Sequence, residues 1–152
     1  MIRGRWLAAA LCASTSGAHA CYIATLALQF GAINPTSSAP ADSVGQVSVT
    51  CTDAPGTLLR YSLSLSAGFA GAFTPRRMRS GTDATLKYNL YVDAARSLVW
   101  GDGNGGTVNV VGAPLLVGSS VTTHYPLYGR VFGGQNVPVG VYGDSILISL
   151  DF

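Results

Sequence analysis

Along most of this chain apolar and polar residues alternate one by one, the period of a half-buried β-strand. In 59–67, Leu59, Tyr61, Leu63, Leu65 and Ala67 share one face, while Arg60, Ser62, Ser64 and Ser66 share the other. Val47, Val49 and Cys51 alternate with Gln46, Ser48 and Thr50. Leu86, Tyr88, Leu90 and Val92 alternate with Lys87, Asn89, Tyr91 and Asp93. Val121, Thr123, Tyr125, Leu127, Gly129 and Val131 define another strand, and Ile146, Ile148, Leu150 and Phe152 a last one. Leu26, Leu28 and Phe30 share a face near the beginning. Turn-forming residues separate these runs at Asn34-Pro35, 53–56, the glycine-rich stretch 101–106, Gly112-Ala113-Pro114 and 137–140. Beyond the first twenty residues no window carries the i, i+3, i+4, i+7 stripe of an amphipathic helix. The pattern predicts an all-β domain, an immunoglobulin-like β-sandwich. One break in parity stands out. Cys21 is odd while Leu26, Leu28 and Phe30 are even, so the chain bends or bulges between them, or Cys21 precedes the strand.

The first twenty residues follow a different rule. Arg3 and Arg5 supply positive charge, a short apolar stretch runs from Trp6 to Ala13, and Ala18-His19-Ala20 forms an A-x-A signature. This is the pattern of a secretory signal, cleaved between Ala20 and Cys21, which leaves a domain over 21–152. The apolar stretch falls well short of the ~20 residues that cross a bilayer, so no transmembrane segment is expected. Ala18 and His19 also depart from the aliphatic pattern that would precede a lipidated Cys21.

Removing the signal changes the chemistry. Cys12 leaves with it, and Cys21 and Cys51 remain. An even pair in an exported chain reads as one disulfide, Cys21–Cys51. Closing that loop contributes about 3–4 kcal/mol in the chain-entropy account. The formal charge of +2 belongs to Arg3 and Arg5; the remaining seven basic and seven acidic residues balance. Charge therefore gives no reason to expect nucleic-acid or anionic-membrane partners. The absence of Glu and the single Lys remove residues that usually cover helix surfaces.

Little of the remaining inventory resembles a reaction centre. His124 is the one histidine after the signal, expected to face solvent from a strand. No Gly-x-Ser-x-Gly elbow and no zinc-ligand spacing accompanies it. Asp102-Gly103-Asn104-Gly105 starts like a calcium loop but lacks the third oxygen ligand and the distal Glu, so a hairpin connection is expected. Arg76, Arg77 and Arg79 form a charge cluster expected in a solvated loop. Neither cofactor nor metal is expected, and a structural or binding role is favoured over an enzyme.

Several runs follow one another in a recognisable order. Cys21 precedes Leu28-Gln29-Phe30-Gly31 and Asn34-Pro35; then come 45–52, 61–68, Pro75-Arg76-Arg77-Met78 and 86–96. Val99-Trp100-Gly101-Asp102-Gly103, Tyr128-Gly129-Arg130-Val131, 135–145 and the alternating terminal strand complete the series. In this order the chain resembles the spore coat protein U family, secreted β-sandwich subunits shared with archaic chaperone–usher pili. The resemblance spans essentially all of 21–152.

The resemblance implies an immunoglobulin-like fold lacking its last strand, with an apolar groove along an unpaired edge. A periplasmic pilus chaperone would fill that groove first. The N-terminal extension of another pilus or coat subunit would replace it at an outer-membrane usher, by β-augmentation. Leu26, Leu28 and Phe30 would line one side of the groove, and Ile146, Ile148, Leu150 and Phe152 the other. Such a protein passes through the periplasm to the cell surface or beyond. Cleavage at Ala20 leaves no alternating extension before Cys21, so the expectation is a subunit that accepts a strand without donating one. The alternative is an adhesin-type module that recognises a glycan or a surface through loops rich in Gly and Asn and through Trp100.

Overall fold

The computed structural model describes residues 20–52, 56–117 and 120–152. The expected secretory signal lies outside the described residues, apart from Ala20, which opens the first strand.

Among the described residues ten strands form: β1 (Ala20–Leu26), β2 (Ala41–Thr52), β3 (Thr57–Leu59), β4 (Ser62–Leu65), β5 (Arg76–Arg79), β6 (Thr85–Tyr91), β7 (Val110–Val111), β8 (Leu115–Val117), β9 (Val121–Val131) and β10 (Ile148–Asp151). An antiparallel five-stranded sheet has the order β1-β2-β9-β6-β5. A smaller sheet, β10-β4-β7, covers it, and β3 pairs with β8 in a two-stranded ribbon. The fold is the all-β sandwich that the alternation predicts. Val47, Val49 and Cys51 from β2, Leu63 and Leu65 from β4, Leu86, Tyr88 and Leu90 from β6, and Val131 from β9 form its core. Each occupies the inward position of its alternating run.

Parity along 59–67 holds, with Leu59, Tyr61, Leu63 and Leu65 all buried. The single strand expected there is instead divided. Leu59 pairs with Leu115 in one ribbon, whereas Leu63 pairs with Leu150 and Val110 in another sheet. The break falls at Arg60–Tyr61, where Gly112 donates its N–H to the Tyr61 carbonyl at 2.9 Å. The outward set assigned to β6 also needs correction, because Asn89 and Tyr91 are buried along with Leu90. The chain after β6 folds back, pairing Val99 with Tyr91, and covers that end of the strand.

The arginine cluster is a second correction. It is strand β5, not a solvated loop, and Arg76 is fully buried. Arg76 pairs with Tyr88 and so points inward. Its guanidinium donates to the Ser66 carbonyl (Nε 3.0 Å, Nη2 2.8 Å), the Trp100 carbonyl (2.7 Å) and Asn89 Oδ1 (3.0 Å). It also lies 5.1 Å from the Phe73 ring centroid. Carbonyl and amide oxygens thus solvate this cation in place of water, and burial lowers its pKa from the ordinary arginine value. Trp100 is likewise no loop reader. It is fully buried, and its Nε1 donates to the Leu63 carbonyl at 3.1 Å.

Candidate functional site

Between the two sheets lies a cavity of about 840 Å³ whose lining is predominantly apolar. Val47, Leu65, Leu86, Tyr88, Leu90 and Val131 make its interior surface. One wall is the segment 25–33 and the other is 139–148.

The first wall begins where β1 ends. Cys21 and Ile23 pack inward from β1, but Leu26 is 67 % exposed and the inward positions beyond it are Leu28 and Phe30. The parity break seen in the sequence is therefore a bend at Thr25–Ala27, and Leu26 does not share the inward face of Leu28 and Phe30. After the bend the chain leaves the β2 ladder, whose last pair is Leu26 with Gln46. The Ser43 hydroxyl then donates to the Gln29 carbonyl at 2.6 Å. Phe30 meets Tyr88 edge to face, with ring centroids 6.4 Å apart and planes at 74°. Cys21 and Cys51 are disulfide-bonded and form a directly opposed β1–β2 pair, their Cα atoms 4.1 Å apart.

The second wall is an edge. Gly143 exchanges both backbone hydrogen bonds with Arg79 (2.8 and 3.1 Å). Ser66 N–H donates to the Leu147 carbonyl, and Leu147 N–H donates to Ser66 Oγ, both at 2.9 Å. In a strand consecutive residues present their N–H and C=O groups to opposite sides. Among the described residues, the backbone groups of Asp144 and Ile146 make no backbone–backbone hydrogen bond, and both residues border the cavity. Beyond them β10 pairs only with β4 among the described residues. The cavity therefore runs beside an open backbone edge, with Ile146 and Ile148 pointing into it.

Asp144 fixes that wall. Its Oδ2 accepts from the Tyr88 hydroxyl at 2.7 Å; its Oδ1 accepts from the N–H groups of Phe69 and Ser145, each at 2.8 Å. Burial, and then the hydrogen bond to Asp144, raise the Tyr88 pKa well above the usual phenol value. Gly68, at φ 72°, leaves room for the carboxylate where a side chain would collide with it.

Of the residues expected to line a groove, Leu26, Leu28, Phe30, Ile146 and Ile148 border this one cavity. Leu150 packs half-buried against the core farther along β10, and Phe152 follows the strand at 61 % exposure; neither borders the cavity. Tyr88, Asp144, Gly45 and Gly129 were not assigned to the site from sequence. A signal existed for the two glycines: each takes an inward position of a strand, where a missing side chain marks the close approach of another segment.

The other features singled out in the sequence stand apart from the cavity. His124 faces outward on β9, its Nδ1 2.8 Å from Ser48 Oγ and 3.1 Å from Gln46 Nε2. Asp102 Oδ1 accepts from the Asn104 N–H (2.9 Å) and the Thr107 hydroxyl (3.3 Å), closing the glycine-rich turn. Among the described residues, no three His, Cys, Asp or Glu side chains are grouped so as to hold a metal ion. No helix among them is long and apolar enough to cross a membrane.

The apolar cavity thus lies beside an unpaired strand edge. The model of the spore coat protein U domain matches residues 7–149. The chain belongs to the spore coat protein U domain family. Protein U of Myxococcus xanthus is 33 % identical over 133 residues, covering 82 % of this chain and 71 % of that protein. Among solved structures, the chain is similar to the complex described as the chaperone–tip adhesion subunit pre-assembly complex from archaic chaperone-usher Csu pili of Acinetobacter baumannii. The matched chain there has a TM-score of 0.57 at 18 % identity. The likeness covers 88 % of this chain but only 40 % of that one, and it establishes a shared fold.

Proposed function

We propose that this protein is a non-enzymatic structural subunit of a surface fibre or coat, and that its cavity accepts a β-strand from another chain. The observation that carries this reading is the open backbone edge at Asp144, Ile146 and Ile148 beside an apolar cavity of about 840 Å³. An extended segment with alternating apolar residues satisfies both features at once. Its backbone completes the edge, and every second side chain enters the cavity. Each aliphatic side chain buried there contributes about 1.5–3 kcal/mol.

Membership of the spore coat protein U domain family and a fold shared with a chain of a pilus chaperone–subunit complex support the reading. By that likeness the strand comes first from a periplasmic chaperone and then from a neighbouring subunit at an outer-membrane usher. The protein accordingly passes through the periplasm to the cell surface. Ala20–Leu26 is already paired with β2 and tied to it by the disulfide, so it is not the strand this chain would give to a neighbour. The adhesin reading loses Trp100 to the core and keeps the exposed loops that carry Gly and Asn, such as 102–106.

The test is thermal unfolding of the purified protein with and without a synthetic peptide of alternating valine and threonine. The empty protein is expected to aggregate through its edge and the peptide to suppress aggregation and raise the Tm. A monodisperse protein with a high Tm that ignores the peptide would falsify strand acceptance.

A further inference from the structure

Two inward positions in adjacent strands lack side chains, and the first wall of the cavity rests on both. A Cβ on Gly129 would stand 2.6 and 2.8 Å from the two Leu28 methyl carbons and 2.9 Å from Phe30 Cζ. A Cβ on Gly45 would stand 2.8 Å from the Leu26 carbonyl oxygen and 3.2 Å from Leu28 Cβ. The two sites differ in kind. At Gly45 the obstacle is backbone at the bend, so a side chain there opposes the fold itself. At Gly129 the obstacle is the tips of two side chains, which can yield by rotating.

The open space beside Leu28 and Phe30 is the cavity. They lie between Gly129 and the cavity, and both border it. A methyl group added at position 129 pushes them into the space an incoming strand would use. We infer that Gly129 is a specificity-determining position of the strand-accepting site. By seating Leu28 and Phe30 it sets the cavity's depth, and so the size of the apolar side chain accepted opposite them. The occupant is an extended segment that presents a large aliphatic residue at that point. This inference rests on the strand-accepting reading above.

The test compares full-length wild-type protein, Gly129→Ala and the double variant Gly129→Ala/Leu28→Ala. Each is titrated with the valine–threonine peptide and with a series in which a single alanine replaces each valine in turn. For Gly129→Ala, affinity for the parent peptide is expected to fall about tenfold. One peptide of the alanine series should bind that variant better than the parent does, and the double variant should recover the parent peptide. Unchanged affinity, or a loss uniform across the series that Leu28→Ala does not reverse, overturns the inference. If Gly129→Ala does not fold, Leu28→Val in the wild-type background serves instead. It should favour a peptide with one valine enlarged to leucine, and indifference to that change overturns the inference. Wild-type protein that binds no peptide sinks strand acceptance and this inference together, whereas wild-type binding with an indifferent variant sinks this inference alone.

Discussion

The Tyr88 hydroxyl donates a 2.7 Å hydrogen bond to Asp144 Oδ2 and thereby ties the large sheet to the open-edged wall of the cavity. The same carboxylate receives the Phe69 and Ser145 N–H groups, so one side chain joins β6, the loop after β4 and the segment leading into β10. Replacing Tyr88 with Phe leaves Asp144 short of one donor at a site where Tyr88 is 4 % exposed. The expected cost is about 1–3 kcal/mol, measured as a shift in the urea midpoint. Peptide affinity should fall with it, because the wall loses an anchor.

That bond also sets a pH dependence. Burial and the Asp144 contact raise the Tyr88 pKa, and burial and the 2.7 Å Tyr61 contact raise that of Tyr125. Each folded phenol holds its proton beyond the pH at which the unfolded one, near 10, loses it. The linked stabilisation is complete below about pH 10 and declines as pH rises above it. Urea midpoints should therefore be level through neutral pH and drop on the alkaline side, with a shallower drop in Tyr88→Phe. An alkaline profile of Tyr88→Phe identical to that of wild type would exclude this source.

Arg76 is expected to be the most sensitive charged residue in the fold. Arg76→Ala removes every donor from the Ser66 and Trp100 carbonyls described above and leaves a void behind Phe73. Each buried acceptor left without a donor costs about 1–3 kcal/mol, so a loss of several kcal/mol is expected. Arg76→Lys should recover only part of it, since an ammonium lacks the planar fork that reaches three separated acceptors. Equilibrium denaturation of the two variants decides; equal stability of Lys and Arg would count against the fork.

Reduction of Cys21–Cys51, or the paired change to serine, opens a loop with a sequence separation of 30. Stability should drop by about 3–4 kcal/mol. Adding strand-donor peptide should restore part of the Tm, because binding to the folded form draws the equilibrium back.

Trp100→Ala separates core from recognition. The indole is fully buried and bonded to the Leu63 carbonyl, so its loss is expected to destabilise by about 3–5 kcal/mol. Fluorescence of a Trp6→Phe variant, in which Trp100 is the single tryptophan, should resist quenching by iodide. Strong quenching would contradict the burial.

Which side chains face inward was legible in the sequence because a strand alternates whatever it pairs with. Val47, Leu63, Tyr88 and Val131 needed no knowledge of their neighbours to be assigned to the core. The single disulfide followed as directly, from the two cysteines that lie beyond the expected signal. The tertiary structure alone decided matters that depend on segments distant in the chain. It divided 59–67 between two sheets, since parity says nothing about partners. It buried Arg76 and Trp100, because backbone carbonyls from separate segments came within hydrogen-bonding reach and replaced water. It put a bend at Thr25–Ala27 in the first wall, where Gly45 makes room for the Leu26 carbonyl and Gly129 for Leu28 and Phe30. The cavity itself belongs to no single run of residues: it is the gap between 25–33 and 139–148, and only their placement across the sandwich creates it.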